Sequence, residues 1–116
     1  MLIVSPIADL REGLSALIAS IPAVKLLDQE QDVGQTLHIL EQHQPDLVVL
    51  DMGGLDEEAL QILAFIHRHQ LVMKSLVLVE SMRQQTQAQV AGADVALIKG
   101  YPAHELIETV QALLAK

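Results

Sequence analysis

The chain has 116 residues, 51% of them hydrophobic and 19% charged, which suits one globular domain and excludes a disordered chain. A formal net charge of -8 disfavours contact with nucleic-acid phosphates or an anionic membrane surface, and the absence of cysteine excludes disulfides and thiolate metal sites. The apolar runs are too short to span a bilayer and the start MLIVSPIADL lacks the basic region of a signal peptide, so a cytoplasmic protein with no membrane contact is expected.

In chain order, Leu2-Ile3-Val4 reads as a first strand, followed by Leu10, Leu14, Leu17, Ile18 and Ile21 at helical spacing until Pro22. Ala23-Val24-Lys25-Leu26-Leu27 reads as a second strand, less apolar and nearer an edge. Asp32 and Gln35 have capping-box spacing before a helix with Val33, Leu37 and Leu40 on one face. After Pro45, the run from Asp46 to Asp51 is a third strand, apolar enough to be buried on both faces. Asp56 can cap a helix with apolar positions Leu60, Leu63, Ala64 and Phe65. Leu76-Val77-Leu78-Val79 is a fourth strand. Ser81 and Gln84 then cap a short helix to Ala91, stopped by Gly92. Its glutamines, Gln84, Gln85, Gln87 and Gln89, read as a solvated face. Val95-Ala96-Leu97-Ile98 is a fifth strand, and Pro102 suits the first turn of a last helix with Leu106, Val110, Leu113 and Leu114 on its face.

Five alternations of strand and helix predict an α/β fold. The expected form is a doubly wound (βα)5 flavodoxin-like sandwich, with a parallel five-stranded sheet in the order 2-1-3-4-5. Residues 1–116 would form this single domain, with no room for an effector domain. Sites in such sheets lie at the carboxyl ends of the strands, here Ser5-Pro6, Asp51, Glu80-Ser81 and Lys99.

Asp51 with Lys99 is the informative pair. A lysine facing a carboxylate at a sheet edge can hold an anion such as a phosphoryl group on that carboxylate. It can equally be a plain ion pair, contributing roughly 0 to 1 kcal/mol if exposed. Glu80 adds a third charge. Asp51 and Glu80 could bind a cation or raise one carboxylate's pKa by like-charge proximity; the preferred reading is a triad in which Lys99 neutralises both. His38, His43, His67, His69 and His104 fall on helices and read as surface residues, not metal ligands. Met52, Met73 and Met82 are scattered and read as core or loop fillers. No Gly-rich loop follows the first strand, which argues against a dinucleotide site. Neither a Ser-His-Asp nor a Cys-His set is suggested.

Leu2-Ile3-Val4, Leu10-Arg11-Glu12-Gly13-Leu14, the segment from Pro45 to Met52, Ala91-Gly92-Ala93-Asp94 and Leu97-Ile98-Lys99-Gly100 together resemble the CheY-like receiver domain of two-component response regulators. The resemblance covers the whole chain. Its phrasing is nearest the branch that carries a helix-turn-helix output domain, which implies that the chain could be a piece of a longer regulator. It implies that Asp51 stands at the phospho-acceptor position and Lys99 at the site lysine. The chain then departs from the pattern. Where the family has two acidic residues for Mg²⁺, it has Ser5 and Pro6, which read as a helix start. Asp9, one turn into that helix, is a poor substitute ligand. Glu80 stands at the position of a phosphoryl-binding Thr or Ser, unless the register slips to Ser81. Ala96 stands where the family has its switch aromatic, and Met52-Gly53-Gly54-Leu55 lacks the usual Met-Pro.

The expectation is therefore a pseudo-receiver, not an enzyme, with impaired Mg²⁺-dependent phosphorylation and no cofactor. Magnesium would enter only if Asp51 found other ligands. It would act as an interaction or dimerisation module, meeting a signalling protein or its own copy through the last helices and fifth strand, without nucleic acid. One alternative is an active receiver phosphorylated on Asp51 by a histidine kinase, with non-standard metal ligands. Another is a small-ligand binder on the same scaffold.

Overall fold

The structure, a computed structural model, describes residues 2–4, 13, 16, 19, 28–30, 33–51 and 57–115. Its elements are β1 (Leu2–Val4), β2 (Asp28–Glu30), α1 (Val33–His43), β3 (Leu47–Leu50), α2 (Glu57–Arg68), β4 (Lys74–Val79), α3 (Met82–Val90), β5 (Val95–Ile98) and α4 (Ala103–Leu114). The strands form a parallel sheet in the order β2-β1-β3-β4-β5. This is an α/β, flavodoxin-like architecture. Among the described residues, no helix is long and apolar enough to cross a membrane.

β1, β3, β5 and the inner part of β4 are short, apolar and rich in β-branched residues because both of their faces are covered. Successive side chains divide between two cores, following the two-residue period of a strand. Val48, Leu50, Val77, Val79 and Ala96 join the core that takes in Leu40 of α1, Ile62 and Leu63 of α2, and Ala88 of α3. Ile3, Val49, Leu76, Leu78 and Leu97 join the other, with Leu106 and Val110 of α4. Burying each such Leu, Ile or Val contributes about 1.5–3 kcal/mol.

One expectation, the buried face of α2, is corrected, and two fall outside the described residues. The second described strand is Asp28–Glu30, paired with β1 from Leu2↔Asp28 to Val4↔Glu30. The apolar run Ala23–Leu27, read as that strand, lies outside the described residues. The buried face of α2 is Ala59, Ile62, Leu63 and Ile66, whereas Leu60 is 41% exposed and Ala64 points to solvent. Of the first expected helix, Gly13, Ala16 and Ala19 are helical and the remainder lies outside the described residues.

The amino end of the sheet is clasped by the Asp94 carboxylate. Its Oδ2 accepts from the Ser75 backbone N–H at 2.8 Å and the Ser75 hydroxyl at 3.3 Å. The Asp94 N–H in turn donates to Ser75 Oγ at 3.1 Å. Just before it, Gly92 has φ +107°, and a Cβ there would fall 1.7 Å from His67 Nε2. Ala91-Gly92-Ala93-Asp94 thus joins β4, β5 and α2 at the edge opposite Asp51.

Candidate functional site

Two backbone hydrogen bonds set the positions of the central pair. The Asp51 N–H donates to Val4 O at 2.8 Å, carrying the β1–β3 ladder one step past β3. The Lys99 N–H donates to Val79 O at 2.8 Å and does the same for β4–β5. Both side chains therefore leave the sheet at its carboxyl edge, on either side of the β4 tip. Glu80 stands at that tip. Its N–H donates to Gln84 Oε1 at 2.7 Å, and the Ser81 hydroxyl accepts from the Gln84 N–H at 3.2 Å as the cap of α3. The cap thus fixes the backbone at Glu80 and engages Ser81 Oγ.

Lys99 reaches across the β4 tip. Its Nζ lies 2.6 Å from Asp51 Oδ1 and 3.4 Å from Glu80 Oε1. The Asp51 side chain is 8% exposed, Lys99 27% and Glu80 50%. The ammonium is the polar partner of the buried Asp51 Oδ1 among the described residues. Burial pushes the Lys99 pKa down, but the hydrogen bond and charge of Asp51, reinforced by Glu80, outweigh it and leave the pKa raised. The site thus holds two carboxylates around one ammonium: at neutral pH the lysine stays charged and bound, and is a poor nucleophile or base.

Tyr101 belongs to the same neighbourhood. Burial pushes its phenol pKa up, the negative charge of Asp51 adds to that, and Lys99 opposes it. Sequence reasoning passed over this residue; the signal was the chain's one tyrosine, two positions after Lys99. Ala96 is buried in β5, and its carbonyl accepts from Gln85 Nε2 at 2.8 Å. Gln84 and Gln85 are half-buried and hydrogen-bonded, so the reading of a wholly solvated glutamine face holds only for Gln87 and Gln89. Ser5, Pro6, Asp9 and the 52–55 loop lie outside the described residues. The five histidines are exposed; His69 packs on Phe65 with ring centroids 4.1 Å apart, and His67 lies against Gly92.

No family model matches the chain. The sequence is 28% identical over 118 aligned positions to the transcriptional regulatory protein PhoP of Escherichia coli O157:H7, covering all of this chain and 52% of that protein. The same figures hold for the virulence transcriptional regulatory protein PhoP of Shigella flexneri. The chain thus spans about half the length of the curated relatives it matches. Among solved structures, the signal receiver domain of the putative response regulator NarL from Mycobacterium tuberculosis superposes with a TM-score of 0.82 at 21% identity, covering 99% of this chain and 96% of that one. The chain has the fold of CheY-like receiver domains. A LuxR-family DNA-binding response regulator from Staphylococcus aureus shares this fold, with a TM-score of 0.83 at 23% identity over 97% of this chain and 96% of that one.

Proposed function

We propose that this receiver works as a protein-interaction or dimerisation module of a two-component regulator, with Mg²⁺-dependent phosphorylation of Asp51 impaired. The observation that carries the reading is the Lys99 ammonium shared between Asp51 and Glu80. Magnesium binds hard oxygen ligands, carboxylates foremost, in near-octahedral geometry. Here the two carboxylates described at the site already face an ammonium, and Ser5 and Pro6 contribute no further carboxylate. These residues do not fit a magnesium ion. Asp51 and Glu80 also place negative charge on either side of Lys99, where a phosphoryl oxygen would have to sit.

The module's working surface is the face built from α3, β5 and α4, presented to another signalling protein or to a second copy. Met82 and Val90 at the two ends of α3 are 74% and 84% exposed, an unusual placement for large apolar side chains. A role as the receiving half of a longer regulator agrees with the span of its curated relatives.

The test is intact-mass measurement after incubation with acetyl phosphate and Mg²⁺, with Asp51→Asn as control. The unmodified mass is expected in both. A phosphoryl adduct in the wild type that the variant lacks would overturn the reading in favour of an active receiver, open to a histidine kinase.

A further inference from the structure

We infer that the amino end of the sheet, opposite Asp51, is a contact surface for a second copy of this chain, with Val72 of each copy seated in a cleft of the other. The inference goes beyond the function proposed above and does not depend on the state of Asp51.

The surface is built by the loop that joins α2 to β4. Leu71 is held at the end of α2, its N–H donating to Ile66 O at 3.0 Å, and Lys74 opens β4, its N–H donating to Asp46 O at 2.9 Å. Val72 lies between these two anchors and is 92% exposed, more than any other large apolar side chain among the described residues. It stands on the rim of a cleft of about 390 Å³, lined by Leu71 and Met73 of the loop and by Leu113 and Leu114 from the end of α4. All four are half-buried in the single chain. A lone exposed valine needs no explanation. An exposed valine on the rim of an apolar cleft supplies both halves of a self-complementary contact, because a two-fold axis brings the valine of each copy to the cleft of the other.

Charge selects the occupant. A formal net charge of -8 opposes self-association over the surface in general. The amino end departs from that balance. Among the described residues the cations are Arg68, Lys74, Arg83 and Lys99. Lys99 is engaged by Asp51 and Glu80, whereas Lys74 lines the cleft and Arg68 ends α2 just before the loop. Two carboxylates, Asp46 and Asp94, line the same cleft. Asp94 is bound through Oδ2 to the Ser75 N–H at 2.8 Å. Asp46 is then the carboxylate without a side-chain partner among the described residues, and Lys74 has no ion pair there either. Under the two-fold, Lys74 of each copy meets Asp46 of the other, and two ion pairs flank two buried valines. A purely cationic or purely anionic partner would satisfy one of these charges; a second copy satisfies both.

Sedimentation equilibrium of the whole protein tests the contact at about 0.1–1 mM, where a small interface is populated. The wild type is expected to move from monomer towards dimer across this range. Val72→Glu, Lys74→Glu and Asp46→Lys are each expected to weaken association about tenfold or more, the last two because like charges then face each other twice. An equimolar mixture of Lys74→Glu and Asp46→Lys restores both ion pairs between unlike copies and is expected to regain association; a loss caused by misfolding would not be rescued in this way. A wild type that stays monomeric, a dimer indifferent to Val72→Glu, or a mixture that associates no better than its components would overturn the inference. A dimer that survives Val72→Glu and is lost in Met82→Glu belongs to the α3 face and would overturn it as well.

Discussion

Lys99 has three N–H donors, and two carboxylates share them. The two contacts are not equal. Asp51 is nearly buried and would be left with an uncompensated charge if the ammonium were removed, whereas half-exposed Glu80 would simply rehydrate. Lys99→Met is therefore expected to cost about 1–3 kcal/mol of stability, and Glu80→Gln no more than about 1 kcal/mol; chemical denaturation of the two variants at neutral pH checks the order. The raised Lys99 pKa adds a pH signature. Its stabilising contribution is complete below the unfolded lysine value of about 10.4 and is lost as pH rises through the higher folded value. Lys99→Met should lack that component of the alkaline loss. Asp51, Lys99 and Glu80 were legible in the sequence because each ends a strand whose apolar run is unmistakable. Tyr101 was not, because its position comes from the turn at Gly100 and from packing on the core beneath α4, neither of which leaves a periodic trace. Gln85 was missed for a similar reason: the hydrogen bond that its side-chain amide donates to Ala96 O joins residues eleven apart.

At the scale of elements, the apolar strands were readable and the polar edge strand β2 was not. β3, β5 and β4 from Leu76 to Val79 are continuous apolar runs because both of their faces are covered. β2 is Asp28-Gln29-Glu30, three polar residues that no apolar pattern would single out. In α2, two apolar stripes overlap, one through Leu60, Leu63 and Ala64 and the other through Ala59, Ile62, Leu63 and Ile66. Spacing alone does not choose between them; the sheet chooses the second. The Gly-Ala-Asp before β5 contributed to the family resemblance, and its physical basis lies away from Asp51. Gly92 supplies a left-handed turn against His67, and Asp94 bonds to Ser75. Gly92→Ala is expected to destabilise the domain by about 1–2 kcal/mol through its positive φ, with Asp51 still paired to Lys99. A lower thermal midpoint with unchanged shifts for Asp51 and Lys99 would be the matching result.

Across the whole molecule, a sheet with two apolar faces separates two ends of different character. One end is closed by hydrogen bonds between Asp94 and Ser75; the other gathers Asp51, Glu80 and Lys99. With a net charge of -8, the domain has acidic groups in excess, and at this edge a lysine from the chain itself supplies the positive charge. On the function proposed above, Lys99 is the resident cation of the acidic site and takes the place of a divalent ion. This can be checked by titration with Mn²⁺, followed by paramagnetic broadening of amide signals. No selective broadening of Leu50, Asp51, Glu80 or Lys99 is expected at millimolar metal. Early, saturable broadening confined to those residues, relieved by excess Mg²⁺, would contradict it.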